Sequence, residues 1–306
     1  MKTLVVGATG YLGSAIARNL NLHGAETYGL ARSPEKSAQL TAAGVRPFDG
    51  GLDDIGQRKA LVEPFDVIVL AAAMPFDLEY EVVSSLVDLC RGSRRHLILT
   101  SGTGVLAIDS KDGRWNENTF AEDDPFPFPA SFAREARLKT EDLVRAAAAD
   151  GLHTTVVRPP LLYGHGGSSQ VPMIFDSVSK TGDASYIGHG LNLYSNVHVD
   201  DAADVFRLAI EKGTPGALYH AVAGEADYRS IAEAVATVSG CKAQSISYEQ
   251  ACEIWHPIAA TMGLAVNSRS TCPRTRRELG WEPQRLDLIE DIRSGSYRDT
   301  YLETAR

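Results

Sequence analysis

The chain of 306 residues is predicted to fold as an α/β protein built on an open, doubly wound parallel sheet. Three observations predict it. Short apolar runs alternate with longer helical stretches through the first half. The run Val67-Ile68-Val69-Leu70 is apolar on both faces, which suits a strand covered by helices on each side. Glycines cluster between the first apolar run and the first helical stretch.

The elements follow in order. Leu4–Val6 is a short β run, and Gly7-Ala8-Thr9-Gly10-Tyr11-Leu12-Gly13 follows it. A helix then runs from Ser14 to about His23, with Gly24 at C′. Thr27–Ala31 reads as the second strand. Ser33 and Pro34 mark a helix start, as N-cap and N1, and Gly44 closes that helix. Val45–Phe48 is a third strand and Asp66–Ala73 a fourth. A helix from about Leu78 to Cys90 precedes the fifth strand, His96–Ser101. A helical segment over Ala130–Ala149 precedes the sixth, Thr154–Arg158. After Pro160 the rhythm loosens and glycines gather at Gly164, Gly166, Gly167, Gly182, Gly188 and Gly190. A helix (Asp201–Glu211) and a strand (Leu218–Val222) come next, then smaller helical units. Residues 1–165, with 196–224 returning to them, are expected to form a nucleotide-binding Rossmann domain. Residues 166–195 and 225–306 are expected to form a smaller substrate-binding lobe. Pro125–Pro129 is a stiff loop that either connects elements at the surface or lines a site.

Composition narrows the function. Hydrophobic residues make up 44% and charged residues 23%, the balance of a globular chain that needs no disulfide or metal to hold its core. The net charge of −9, without a basic stripe, argues against nucleic acid and anionic membrane surfaces as partners. No stretch approaches the roughly 18 apolar residues of a membrane span, and the N-terminal apolar run is too short for a signal peptide. Cys90, Cys241, Cys252 and Cys272 form no CxxC and no metal spacing, which suits free thiols in a reducing compartment. The expectation is a cytoplasmic monomer or homodimer acting on a small molecule. A nucleophile elbow, HExxH, a GxxxxGK[ST] loop and metal-ligand spacing are all absent from the sequence, so no metal is expected. The basic run Arg274–Arg277 reads as the solvated face of a short helix.

The glycine loop points to a dinucleotide. Gly7, Gly10 and Gly13 allow a tight turn and close backbone approach to a pyrophosphate, and the helix N-terminus offers unpaired N–H groups and a positive dipole end. A NAD site wants a carboxylate at the end of the second strand; this chain has Arg32-Ser33 there. A guanidinium beside a hydroxyl suits a 2′-phosphate, so NADP is favoured over NAD, with Arg32 as a bare strand-end charge the alternative.

These segments together resemble the extended short-chain dehydrogenase/reductase family, also called the NAD-dependent epimerase/dehydratase family. The resemblance is carried by Val5–Gly13, by Asp66–Ala73, by Arg158-Pro159-Pro160-Leu161-Leu162-Tyr163-Gly164, by Val197-His198-Val199-Asp200-Asp201 and by Glu278-Leu279-Gly280-Trp281. It implies cofactor contacts at Gly7, Thr9, Gly10, Tyr11, Leu12, Gly13, Arg32, Ser33, Leu52, Ala71, Ala72, Ala73, Arg137 and Pro159. It also shows departures. The family's acid/base pair is Tyr-x-x-x-Lys; aligning Glu141 with the glutamate that commonly follows it puts Arg137 in the lysine place and Ala133 in the tyrosine place. The usual strand-five serine falls at Gly102, flanked by Ser101 and Thr103. Asp49-Gly50-Gly51-Leu52-Asp53 stands where many relatives have Gly-Asp-Leu, which removes an adenine-contacting carboxylate. The chain thus resembles an atypical branch that keeps the fold and cofactor loop without the usual proton relay.

Four residues are therefore candidates for catalysis. Arg137 stays charged and can bond ribose hydroxyls, but its pKa is too high to shuttle protons. Ser101 or Thr103 can donate a hydrogen bond to an oxyanion. Tyr163 is a substitute phenol or a packing tyrosine. His165 and His198 are further proton carriers, with His198 also suited to a structural place at a helix entry; Glu135 faces either the site or solvent. The favoured function is an NADP-dependent oxidoreductase acting on a carbonyl or alcohol of a small organic metabolite. The alternatives are a non-redox isomerase, cyclase or lyase that retains NADP, and a dinucleotide-sensing regulator. The substrate loops, 106–131 and 164–196, carry little positive charge: Lys180 is the sole Lys or Arg between Tyr163 and Asn196. Phe120, Phe126, Phe128 and Phe132 suggest a hydrophobic, polyketide- or terpenoid-like substrate.

Overall fold

The structure is a computed structural model that describes residues 1–129 and 132–302; the side chains of Phe132, Ala133 and Leu302 lie outside the described set. Its centre is a seven-stranded parallel sheet. The strands are β1 (Lys2–Val6), β2 (Glu26–Ala31), β3 (Arg46–Asp49), β4 (Val67–Leu70), β5 (His96–Thr100), β7 (His153–Arg158) and β11 (Ala217–His220). Their order is β11-β7-β5-β4-β1-β2-β3, so the chain winds outward from β1 in both directions, and the crevice at that switch point is where such sheets bind ligands. The period-2 pattern decides which layer each residue joins. In β1, Leu4 and Val6 enter one core layer and Val5 the other; in β4, Ile68 and Leu70 oppose Val67 and Val69 in the same way.

Helices cover both faces. On one side lies α1 (Tyr11–Leu22), with α7 (Val199–Lys212) packed beside it; α1 buries Leu12, Ile16 and Leu20 at helical spacing. On the other lie α3 (Ile55–Val62), α4 (Phe76–Cys90) and α5 (Phe132–Ala146). Between β2 and β3, α2 (Pro34–Ala42) is capped by Ser33 with Pro34 at N1, as the sequence indicates. In the first half, two details that position the site differ from the sequence reading. Helix α1 begins at Tyr11 rather than Ser14, because extended Gly10 is its N-cap. Helix α3 went unpredicted: it is short, and only Arg58, Leu61 and Val62 are buried, too few for an apolar stripe.

A second core packs beyond the C-terminal strand ends. It includes the three-stranded sheet β12-β10-β8 (Gly224–Asp227, Leu193–His198, Leu161–Tyr163) and the pair β13-β9 (Ala243–Ile246, Ala184–Ile187). Helices α6 (Gln170–Thr181), α8 (Tyr228–Ser239) and α9 (Tyr248–Trp255) enclose it. A short antiparallel pair, β6 (Ile108–Asp109) with β14 (Val266–Asn267), ties the segment after β5 to this lobe. Among the described residues all four cysteines are free, and no helix is long and apolar enough to cross a membrane.

One buried group sets a pH dependence. The His96 ring, in β5, stacks on His153 at 3.7 Å and shares a 3.0 Å hydrogen bond with Thr155 Oγ1. Burial, reinforced by the neighbouring imidazole, pushes His96 down to about 3. Below the ordinary histidine pKa the unfolded chain takes up a proton that the folded state refuses, so stability is lost as pH falls from about 6.5 towards 3. Urea melts should show that decline, and His96→Gln, which keeps a partner for Thr155, should make it shallower; an unchanged slope would place the titration elsewhere.

Candidate functional site

The β1–α1 turn presses three backbone segments together. Gly7 sits at φ +91°, and a Cβ there would lie 2.7 Å from Ala72 N and 2.8 Å from the Ala71 carbonyl carbon. A Cβ at Gly13 would lie 2.7 Å from the Gly7 carbonyl carbon and 3.1 Å from Ala8 N. These are backbone atoms that cannot swing aside, so only glycine fits either place. Gly10 caps α1 with no side-chain hydrogen bond and no acidic residue in the first turn. The helix N–H groups therefore lack any protein anion, the setting that favours a phosphate. This cradle fits the pyrophosphate of a dinucleotide. Tyr11 turns away from it: its phenol donates to Gly164 O at 2.7 Å and its ring lies against Gly167. The Thr9 carbonyl accepts from Gln39 Nε2 at 3.4 Å.

A second cleft opens at the ends of β2 and β3, lined by Arg32, Ser33, Asp49, Gly51, Asp53 and Gln57 among others. Arg32 is exposed and makes no hydrogen bond or ion pair among the described residues. Ser33 accepts from Lys36 N as the cap of α2. Asp49 is engaged by Ser37 Oγ at 3.1 Å. Leu52 packs half-buried on the sheet core, and its carbonyl accepts from Arg58 Nε at 2.7 Å.

The third feature is a cavity of about 450 Å³ at the end of β5. Phe76, Val105, Ile108, Phe128, Met262 and Val266 give it apolar walls. Its polar lining comes from Ser101, Asp109, Thr261 and the arginines Arg134 and Arg137. Phe128 and Pro129 bring the proline-rich loop to the cavity, whereas Phe120 is buried behind it in a cluster with Val105 and Leu106. Arg137 donates to Glu79 Oε2 at 2.6 Å and stacks over Phe76. Glu79 is buried, and desolvation raises its pKa despite the guanidinium beside it. Ser101 donates its hydroxyl to Glu141 Oε1, and Glu141 in turn accepts from Arg158 Nε at 2.9 and 3.1 Å. Arg158 reaches His220 Nε2 at 3.5 Å; burial, then the Arg158 charge, hold His220 down at about 4. Glu141 is thereby a carboxylate clamped by a bidentate arginine, and it fixes the Ser101 hydroxyl.

Of the four catalytic candidates, the cavity gathers Ser101 and Arg137. Thr103 is fully buried; its N–H donates to Pro159 O at 3.0 Å and its carbonyl accepts from Ser268 Oγ at 2.9 Å. Tyr163 lies in the second core with no exposed surface, and its phenol donates to Arg285 O at 2.8 Å. Its pKa is raised, chiefly by burial, above the ordinary phenol value. Ala133, in the aligned tyrosine place, has its side chain outside the described set. His198 caps α7 by accepting from Asp200 N at 3.2 Å. Sequence spacing gave no sign that His165, His198 and Asp200 meet, yet they form a cluster with ligand atoms within 4.8 Å of one another. Arg18 and Arg285 already share the Asp200 carboxylate at 3.6 and 3.7 Å, which disfavours a further cation.

The profile of the NAD dependent epimerase/dehydratase family matches residues 3–222. The chain belongs to that family. Its relatives include an uncharacterized protein of Schizosaccharomyces pombe, 33% identical over 97% of this chain and 100% of that one. A 4-hydroxy-2-methyl-3-oxo-4-farnesyl-3,4-dihydroquinoline-1-oxide ketoreductase of Stigmatella aurantiaca is 28% identical over 80% of this chain and 75% of its own. A 2-alkyl-3-oxoalkanoate reductase of Stenotrophomonas maltophilia is 28% identical over 76% and 71%. The fold is that of a solved dTDP-glucose 4,6-dehydratase from Streptomyces venezuelae with NAD bound, at a TM-score of 0.77 and 19% identity over 100% of this chain and 98% of that one. The protein is an NAD(P)-dependent enzyme of the oxidoreductase or epimerase/dehydratase type.

Gly10→Val should separate binding from folding. Its Cβ would meet only Gly7 O, at 3.2 Å, a tight contact that lowers stability somewhat while the branched side chain blocks the approach to α1. Fluorescence titration should show dinucleotide binding lost in a chain that circular dichroism shows still folded; retained affinity would displace the cradle from its assigned role.

Proposed function

We propose that the protein is an NADP(H)-dependent reductase of a carbonyl on a largely apolar small metabolite, running as a dehydrogenase in reverse. The carrying observation is the cavity: apolar walls, with the Arg137 guanidinium in its polar lining. The relatives named as reductases of a farnesylated quinoline and of alkylated oxoalkanoates support an apolar substrate. The free guanidinium of Arg32 supports NADP(H), since a charge-assisted bond to a 2′-phosphate has no counterpart in NAD. Asp49 and Asp53 line the same cleft, so this preference rests on Arg32 alone.

When bound, a reduced nicotinamide supplies the hydride. The protein must then meet the negative charge that develops on the substrate oxygen. Arg137 presents a permanent charge, anchored by Glu79 so that it enters the reaction without reorganising. Ser101 spends its single O–H on Glu141, so the charge is met by Arg137. Arg137 is not a proton source, so solvent delivers the final proton. Phe76, Phe128 and Val105 exclude bulk water from the rest of the substrate, which strengthens the guanidinium's interaction. One observation favours a non-redox isomerase or lyase instead: among the described residues no tyrosine lines the cavity.

NADPH oxidation with a panel of long-chain ketones and β-oxo acids tests the reading; silence with every carbonyl, alongside tight NADPH binding, would shift it to the non-redox alternative. Arg137→Leu should lower kcat by roughly 10²-fold or more while Arg137→Lys keeps part of it. Tyr163→Phe should leave turnover within about threefold, because its phenol serves a backbone carbonyl. Arg32→Glu should weaken NADPH by about 10-fold or more and NADH far less; equal losses would make Arg32 a bystander.

A further inference from the structure

The cleft at the ends of β2 and β3 is also lined by the side chain of Gln57. Gln57 stands at the third position of α3, where its N–H donates to the Asp54 cap at 2.9 Å. Its carboxamide lies over the backbone of Gly51, so a Cβ at Gly51 would fall on the amide oxygen and 3.2 Å from Cδ. Gly51 is buried and its φ lies outside the left-handed region, so its missing side chain leaves the place that the Gln57 carboxamide occupies. A side chain at 51 would displace the carboxamide from that position. Among the described residues the amide makes no hydrogen bond, although it lines the same cleft as Arg32 and Ser33.

We infer that the Gln57 carboxamide reads the 6-amino edge of the cofactor's adenine base. This rests on the dinucleotide reading of the cleft. A pyrophosphate in the Gly7–Gly13 cradle and a ribose phosphate at Arg32 direct the base onward, across the ends of β2 and β3, towards Gly51 and Gln57. Adenine offers a donor at its exocyclic amine beside a ring-nitrogen acceptor. A carboxamide supplies the complementary acceptor and donor, which is the pairing by which glutamine and asparagine read adenine in nucleic acids. Asp53, on the rim of the cleft, offers acceptors alone. Gln57 is thus a specificity residue for the base, distinct from Arg32, which acts on the 2′-phosphate.

Binding alone tests this, with NADP+ and its etheno derivative, in which a two-carbon bridge blocks N1 and the 6-amino nitrogen. Calorimetry on the wild-type chain should give NADP+ an advantage on the order of 10-fold, the worth of two partly solvated hydrogen bonds. Gln57→Ala should bind both ligands equally, at the weaker level, with an equal loss for NADP+ and NAD+. Gly51→Ala should reproduce that result by displacing the carboxamide, at an unchanged melting temperature. Discrimination retained in both variants, or absent from the wild type, overturns the assignment of Gln57. Failure of the wild type to bind either ligand overturns the dinucleotide reading itself.

Discussion

The close approach of the Gly7–Gly13 turn to the end of β4 is the constraint on which the rest depends. With Gly7 and Gly13 lacking side chains, the α1 N-terminus is drawn against the β4 exit, and Ala71 N bonds Val6 O at 2.9 Å to hold the two strands in register. The same closeness points the first N–H groups of α1 into the crevice between β1 and β4. One packing fact therefore sets both the sheet's geometry and its affinity for a diphosphate. Tyr11 extends the arrangement: its phenol reaches Gly164 O, linking the turn to the strained loop where Gly164, His165 and Gly166 all have positive φ. That loop is thus anchored to the glycine turn.

The dinucleotide machinery was legible because its chemistry is local. Glycine spacing, a strand before it and a helix after it all fall within a dozen residues, and each glycine's purpose is a contact with a near neighbour. The reacting end was legible only in part, since its partners are distant in sequence. Ser101 meets Glu141 forty residues on, and Arg137 meets Glu79 fifty-eight residues back. No periodicity encodes such pairs. Tyr163 shows a subtler limit. In β8, Leu161 and Tyr163 face the second core while Leu162 packs towards the first. A motif places the strand; the parity of one residue decides what its ring touches. Thr103 falls to a similar cause, since its short helical turn aims it inward while Ser101 stays on the cavity wall. Helix α3 escaped notice for want of an apolar stripe, and with it went Gln57.

Two ion pairs flank the cavity, and they differ in how deeply each is buried. The side chains of Glu141 and Arg158 are only 1% and 7% exposed, so either one alone would be an uncompensated charge in a medium of low dielectric. Paired, they are neutral to their surroundings and rigid, and the rigidity is what passes to Ser101. Glu79 and Arg137 differ. Arg137 retains 22% exposure, so its charge is balanced by Glu79 yet remains available to a second anion. The burial that raises the Glu79 pKa leaves its other oxygen without a hydrogen-bond partner.

This asymmetry bears on the type of reaction the cavity can support. An enzyme that exchanges a proton with its substrate needs a group whose pKa lies near the working pH. A guanidinium is far from that condition. What Arg137 would provide instead is fixed positive charge, which lowers the energy of an oxyanion whichever way the proton later arrives. Such a site is best matched to a substrate whose alkoxide is itself stabilised, as when the carbonyl is conjugated or flanked by electron-withdrawing groups. The apolar walls then hold the remainder of the molecule. On the proposed reading, a chain without the tyrosine relay reduces a narrower range of carbonyls without losing the chemistry.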